Sequence, residues 1–463
     1  MLKASVHVLE YASSSLSRAR WRSATGVALA SSLALAACGG DDRGASATDE
    51  GSSSGGTTEP SASRGSSSPS TSATATTDAS GTMSGGETTG TAGTGVTTSD
   101  SSSSAGPEDP ICGDGALDPG EECDDGDGDD FDGCRSDCTE VELLAPPELE
   151  WEYVDIEGTA CLNGSTAGFA VNYNPGSKNV MIYLEGGGAC FSDACDFTAF
   201  NIPFVPPIDG VFSRSNDDNP VRDWTMIYVP YCTGDIHSGD NEAELGGELR
   251  YFHGYRNITR YLERLVPSFE AERVLLTGIS AGGFGAALNA TQVANAYGDG
   301  VELTVVDDSG PPLGNDVIAP CLQQLFREVW GLDGTVLAEC PECDEDDFAS
   351  SLLEHVLGEY PDVRFGLYSN TADQVIRTYM GAGWGGGHYD NCEGLSSAVP
   401  IATYVDGLEA IRAENHALIS TFYRTGIAHT VLRFGFNTTW VDGKGVPEWL
   451  ADVLDGKVIH VGP

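Results

Sequence analysis

Basic residues are scarce in this sequence. It carries 23 Lys and Arg against 70 Asp and Glu, which gives a formal net charge of −47 over 463 residues. Nucleic-acid binding depends on basic side chains that neutralise phosphates, so this balance argues against a nucleic-acid partner. Residues 107–150 alone hold 17 acidic residues and one Arg.

A long apolar run is also missing near the N-terminus. The run Ala24–Ala37 follows several Arg residues and is too short to span a bilayer as a mature helix, but it suits a cleaved signal region. It ends in Leu35-Ala36-Ala37-Cys38, which resembles a bacterial lipobox. The pattern predicts a signal peptide over 1–37 and an exported lipoprotein of the outer membrane or cell surface, anchored in the membrane through Cys38. The alternative is an ordinary signal peptide that contains a cysteine.

Complete metal and phosphate motifs are absent as well. Cys340-Pro-Glu-Cys343 has the CxxC spacing, but no second pair completes a zinc site. The glycines 186–188 are not followed by the Lys-Ser/Thr of a phosphate-binding P-loop. We therefore expect neither a metal nor an organic cofactor.

The thirteen cysteines divide into three groups. Cys38 stands alone, and two even sets follow: Cys112, Cys123, Cys134 and Cys138, and then Cys161, Cys190, Cys195, Cys232, Cys321, Cys340, Cys343 and Cys392. Even sets in an exported chain predict disulfides, whose pairing the sequence leaves open.

Two segments separate the signal from the main domain. Residues 38–107 are dominated by Ser, Thr and Gly, so they predict a disordered tether. Residues 108–146 resemble the acidic cysteine-rich repeats of myxobacterial surface proteins, with CGDG, GEECDDG and DGC in order. Asp125, Asp127 and Asp129 suggest calcium, yet Asp130 and Ser136 replace the Gly and Glu that an EF-hand loop requires. A solvated acidic spacer is therefore the favoured interpretation, and calcium binding is the alternative.

From residue 147 to 463 the composition is globular. Near-continuous apolar runs of strand length, such as Val180–Leu184 and Val274–Thr277, alternate with helical patterns such as 281–296 and 405–419. This alternation predicts an α/β domain with a mostly parallel sheet flanked by helices.

The strongest motif follows the strand at Val274. Gly278-Ile279-Ser280-Ala281-Gly282 leads into a helix of small residues, which is the context of a nucleophile elbow. The same GxSxG pattern occurs by chance at 51–55 in the tether. A strand–turn–helix with a structural serine is the alternative for Ser280.

A serine nucleophile needs a base and an acid, which in α/β-hydrolases follow in the order Ser, acid, His. His429 comes in a turn after a strand-like stretch, whereas His355 and His416 lie in helical patterns, His388 in a glycine-rich loop and His460 near the end. Asp373 follows a predicted strand and is the expected acid. Asp307 and Asp308 come soon after the nucleophile helix and are expected to cap a turn.

The oxyanion of an acyl-transfer reaction needs backbone N–H donors. The glycine loop Glu185–Cys190 follows a predicted strand, so its amides and that of Ala281 are candidates.

These motifs together resemble the pectin acetylesterase and Notum family. The carrying segments are 183–190, 231–240, the Ser280 elbow, Asp307–Gly310, Ala372–Gln374 and 426–432. The resemblance implies an α/β-hydrolase fold, a triad of Ser280, Asp373 and His429, and oxyanion donors at Gly187, Gly188 and Ala281. Many members carry an aromatic residue in the glycine loop, where this chain has Gly188-Ala189, so substrates do not transfer directly.

The expected function is a serine carboxylesterase that removes acyl groups, foremost acetyl, from an extracellular polysaccharide. The alternatives are a lipid or protein-acyl carboxylesterase, and a surface binding protein without turnover. Polar, open clefts suit sugars, whereas deep apolar clefts suit acyl chains.

Overall fold

The computed structural model describes residues 111–192, 207–344, 346–384, 392 and 397–463. The predicted signal peptide, Cys38, the tether, Cys195 and His388 lie outside the described residues. None of the helices in the described ranges is both long and apolar enough to cross a bilayer.

A nine-stranded sheet forms the centre of the described part. Its strand order is β1-β2-β4-β3-β7-β8-β9-β10-β13. β1 and β2 are antiparallel to each other and β2 to β4, and the remaining six pairings are parallel. The predicted mostly parallel sheet is confirmed. The strands, including two short hairpins, are β1 Trp151–Asp155, β2 Gly168–Asn172, β3 Asn179–Leu184, β4 Thr225–Val229, β5 Asn241–Leu245, β6 Glu248–Phe252, β7 Arg273–Ile279, β8 Glu302–Asp308, β9 Arg364–Asn370, β10 Ile419–Arg424, β11 Trp440–Val441, β12 Lys444–Gly445 and β13 His460–Val461.

Helices cover both faces of this sheet, because its central strands are apolar on both sides. In β3, Val180 and Ile182 join one buried cluster with α1, while Met181 and Tyr183 join a second cluster with α8. The helices are α1 Gly254–Ser268, α2 Ala281–Leu288, α3 Ala290–Tyr297, α4 Pro320–Trp330, α5 Phe348–Glu359, α6 Gln374–Tyr379, α7 Ile401–Glu414 and α8 Val446–Leu454.

Two predicted helices differ from the structure. The pattern 281–296 forms two helices that break at Asn289, whose side-chain amide donates to Gly285 O and to His237 O. Such side-chain bonds compete with helix continuation. The pattern 405–419 ends at Glu414, since Ile419 instead pairs with Phe365 as the first residue of β10.

Disulfides join most of the described cysteines, as predicted. They are Cys112–Cys138, Cys123–Cys134, Cys161–Cys232, Cys321–Cys392 and Cys340–Cys343. The last of these makes the CxxC a disulfide rather than a pair of free thiols.

The cysteine-rich segment lies against α1. The amide of Leu144 donates to Ser268 Oγ at 2.8 Å, and Arg135 lies 3.7 Å from Glu263. Its two disulfides substitute for the apolar core that a segment of this size cannot build.

Candidate active site

Ser280 occupies a strained turn between β7 and α2. Its φ of 56° and ψ of −120° are unusual for a residue with a side chain. The turn is possible because the flanking glycines have no Cβ: one on Gly282 would lie 2.0 Å from Leu184 O, and one on Gly278 would lie 2.2 Å from Gly282 O. The geometry is that of a nucleophile elbow.

Asp373 and His429 meet at the carboxyl end of neighbouring strands. Asp373 caps α6, where its Oδ1 accepts from the amides of Val375 and Ile376. Its Oδ2 lies 2.8 Å from Nδ1 of His429, and the carboxylate is fully buried. The two amides and the imidazole thus fix the carboxylate in the orientation that an orienting acid requires.

The opposite ring nitrogen of His429 is free to act. Its Nε2 is buried and has no hydrogen-bond partner among the described residues. A general base uses this atom when Nδ1 is held by a carboxylate. Ser280 and His429 are linked through β8: the Ser280 amide donates to Asp308 O, and the Asp308 side chain binds the amides just after His429.

The other described candidate histidines have structural partners. His355 lies in α5, as its pattern predicts, and pairs with Glu342 at the surface. His416 lies in the turn after α7 rather than in a helix, and its carbonyl is bonded to the ring of His460. None of these three lines the cavity beside Ser280.

The glycine loop Glu185–Cys190 follows β3 and is held at both ends. Nε2 of His237 bonds Glu185 O at 2.9 Å, and the Cys190 amide donates to Gly234 O at 2.7 Å. The indole N–H of Trp330 donates to Cys190 O at 2.7 Å. Within the described ranges, the predicted oxyanion donors Gly187, Gly188 and Ala281 donate their amides to no other group. These amides are therefore available to a ligand.

His237 and Tyr231 lie beneath this loop rather than along the cleft. His237 is 3% exposed, and burial lowers its pKa from 6.5 to about 4. The neutral ring therefore donates from Nε2 to Glu185 O. The hydroxyl of Tyr231 accepts from the Ile236 amide at 2.7 Å, which supports the same segment.

An apolar cavity opens beside Ser280. Its empty space, including the part open to solvent, is about 370 Å³, and its lining includes Gly188, Ala281 and the apolar side chains Phe191, Ile236, Phe284, Phe326, Trp330 and Met380. A second cavity, with a similar empty space that includes open solvent, shares Ile236, Phe284, Phe326 and Met380 with the first. These four side chains therefore form part of the wall of both cavities.

Tyr379 of α6 lies over the glycine loop. A Cβ placed on Gly188 would come within 2.6 Å of its hydroxyl, and Gly188 has a φ of +90°. Tyr379 and Ala189 both line the cavity beside Ser280. An aromatic side chain from α6 therefore lies against the glycine loop at Gly188.

Asp308 has a larger part in the site than a turn cap. Its Oδ2 accepts from the amides of Val431 and Leu432, each at 2.7 Å. In the sequence, Asp308 stood out only as part of the Asp307–Gly310 segment. Its partners Val431 and Leu432 are more than a hundred residues away, so no local pattern could reveal them.

The acidic cysteine-rich segment brings Asp125 and Asp127 together with Asp132, not with Asp129. Asp129 instead accepts from the Phe131 amide. All three clustered carboxylates are exposed, as in a solvated acidic spacer, and calcium binding stays an untested hypothesis.

Comparison with known proteins identifies a family to which part of the chain is similar. Residues 152–351 match the sequence model of the Pectinacetylesterase family. Similar proteins include palmitoleoyl-protein carboxylesterase notum2 of Xenopus laevis, 32% identical over 32% of this chain and 34% of its own length. Pectin acetylesterase 4 of Arabidopsis thaliana is 30% identical over 37% and 46%, and human palmitoleoyl-protein carboxylesterase NOTUM is 31% identical over 29% of each chain. The chain therefore spans less than half the length of these relatives.

The family match covers the glycine loop and Ser280 but ends before Asp373 and His429. The assignment of acid and base consequently depends on the contacts described above.

Proposed function

We propose that this chain is a serine carboxylesterase of the pectinacetylesterase family with Ser280 as its nucleophile, because residues 152–351 match the sequence model of that family. The hydrogen bond of 2.8 Å between Asp373 and His429 carries this proposal, since it orients the imidazole and leaves Nε2 unpaired. Ser280 attacks the ester carbonyl while His429 takes the hydroxyl proton. His429 returns that proton to the leaving alcohol, which leaves an acyl-serine and a neutral imidazole.

Water completes the cycle in the same site. His429 takes a proton from a water molecule that attacks the acyl-serine, and the proton passes back to Ser280 as the acid leaves. The negative oxygen that forms in both steps is stabilised by the amides of Gly187, Gly188 and Ala281. No step requires a metal or an organic cofactor.

Replacement of the triad tests this mechanism. We expect Ser280→Ala to lower kcat by about 10³-fold or more, and Asp373→Asn to do so by a similar amount, because the residues act as a unit. Hydrolysis of nitrophenyl esters by the folded full chain measures this. Near wild-type turnover in Ser280→Ala would refute the nucleophile.

The cavity beside Ser280 determines which acyl group of the substrate can bind. The side chains around the cavity beside Ser280 are almost entirely apolar, and a second apolar cavity adjoins it. Such a lining stabilises aliphatic carbons more than the small acetyl group requires. We propose that the enzyme accepts acyl chains longer than acetyl. The palmitoleoyl-protein carboxylesterases among its relatives act on a lipid ester, as their name states.

The acetyl ester of an extracellular polysaccharide is the second candidate, favoured by the similarity to a pectin acetylesterase. Nitrophenyl esters from acetate to decanoate separate the two. A maximum of kcat/KM at butanoate to octanoate is expected for the longer acyl chains. A maximum at acetate, with release of acetate from an acetylated polysaccharide, would instead support the second candidate.

We further propose that the chain is exported, since its disulfides form in oxidising compartments. The anchor at Cys38 stays a prediction. Incorporation of labelled palmitate in the wild type but not in Cys38→Ser tests it.

A further inference from the structure

We propose that Asp308 is a positioning residue, which holds His429 in register with Ser280 through the backbone that follows the histidine. This inference depends on the proposed esterase function, in which His429 is the base. Asp308 is fully buried at the end of β8, between the strand that carries Ser280 and the strand that precedes the acid.

Asp308 contacts both halves of the site with different atoms. Its backbone oxygen accepts from the Ser280 amide at 2.8 Å, as a continuation of the β7–β8 pairing. Its side-chain Oδ2 accepts from the amides of Val431 and Leu432, each at 2.7 Å. One residue thus joins the nucleophile elbow to the loop of the base.

Ser309 adds two hydrogen bonds to those of Asp308, and we call these two residues the clamp. Its hydroxyl donates to Asp308 Oδ1 at 2.9 Å and accepts from the Thr430 amide at 3.2 Å. The three consecutive amides after His429 are therefore all bound by the pair Asp308-Ser309. Ser280, Ser309 and Thr430 each have a φ between 56° and 67°, so the backbone bends sharply where these segments meet.

The arrangement explains a buried carboxylate that the reaction itself does not use. Burial raises the pKa of Asp308 to about 6, while the Val431 and Leu432 amides, the Ser309 hydroxyl and nearby His429 act in the opposite direction. An ionised carboxylate accepts these three donors at neutral pH. Without the Asp308 carboxylate the loop amides would be unpaired and the imidazole would move relative to Ser280.

Neighbouring Asp307 offers a matched control. It is equally buried at the same strand end, but its Oδ1 accepts from the Gly310 amide and it makes no hydrogen bond to residues 429–432. Burial raises its pKa well above the ordinary value, which favours the neutral carboxyl, a group similar in shape to an amide. Asp307→Asn should leave kcat close to that of the wild type.

The test compares Asp308→Ala, Asp308→Asn and Asp307→Asn in the full chain, with kcat and KM measured on a nitrophenyl ester. We expect Asp308→Ala to lower kcat by about 10²-fold with little change in KM, as a misplaced catalytic group does. Asp308→Asn should recover part of that loss, because its amide oxygen still accepts from both amides. A loss in both Asp308 variants no larger than in Asp307→Asn would overturn the proposal, as would a loss confined to KM.

Hydrogen exchange supplies a readout that does not need activity. The amides of residues 430–432 should exchange faster in the Asp308 variants than in Asp307→Asn, and unchanged exchange would also overturn the proposal. If Asp308→Ala does not fold, Asp308→Asn and Ser309→Ala decide by the same two measurements. Full activity in Ser280→Ala would refute the proposed function alone, since the exchange result would still report on the clamp.

Discussion

His237 shows how one buried side chain supports a reactive loop from below. The neutral imidazole donates to Glu185 O, where the glycine loop leaves β3. The ring of Tyr231 and the backbone of Gly285 pack against the imidazole. They leave no space for the water molecules that would solvate a protonated ring. The position of the proposed oxyanion donors therefore depends on a histidine that does not itself face the substrate.

The lowered pKa of His237 makes a pH-dependent contribution to stability. Its pKa falls from 6.5 in the unfolded chain to about 4 in the folded protein. Between these two pH values the unfolded chain binds a proton at this ring and the folded protein does not. The stability that the neutral ring contributes is complete above pH 6.5 and is lost as the pH falls towards 4. At pH 5 the loss amounts to about 2 kcal/mol.

We expect the difference in free energy of unfolding between wild type and His237→Phe to shrink by about 2 kcal/mol from pH 7.5 to pH 5. The variant should be less stable at pH 7.5, because Glu185 O loses its donor. Denaturant unfolding at both pH values measures the difference. An equal difference at both would show that His237 does not titrate in this way.

The elements of the site differ in how far the sequence predicts them. The central strands and the elbow were found because apolar runs and a GxSxG at a strand end are local patterns. Asp373 and His429 were chosen from their place after strands, and the structure brings their side chains together. The functions of Asp308 and His237 were not found, since each depends on a partner far along the chain that no local pattern specifies.

Replacement by alanine should have very different effects on stability and activity at Gly282 in the elbow and at Gly358 in α5. A Cβ on Gly282 would lie 2.0 Å from Leu184 O, so β3 or α2 must shift, whereas nothing lies within 4 Å of a Cβ on Gly358 in α5. We expect Gly282→Ala to lower the free energy of unfolding by about 3 kcal/mol or more and to abolish hydrolysis. Gly358→Ala should leave activity unchanged and stabilise the helix by up to about 1 kcal/mol.

Thermal unfolding and ester hydrolysis of the two variants check this prediction. Wild-type stability and turnover in Gly282→Ala would mean that the close packing of α2 on β3 is not required.

At the scale of the whole molecule, the chain combines an acidic cysteine-rich segment with the α/β domain that holds the candidate active site. The segment lies on α1, on which it places Arg135 beside Glu263. The cysteine motifs of the segment and the globular composition after residue 147 predicted both parts and their order. It did not predict their contact, because the hydrogen bond from Leu144 to Ser268 joins residues 124 positions apart.

The central claim is that the ester carbonyl is attacked by Ser280, and covalent labelling tests it most directly. The full chain is treated with a fluorophosphonate, which reacts with activated serines, and the modified peptide is located by mass spectrometry. We predict one adduct per chain on the peptide that contains Ser280, none in Ser280→Ala, and slower labelling in His429→Ala. Ester hydrolysis without this adduct, or an adduct on another residue, would contradict the account.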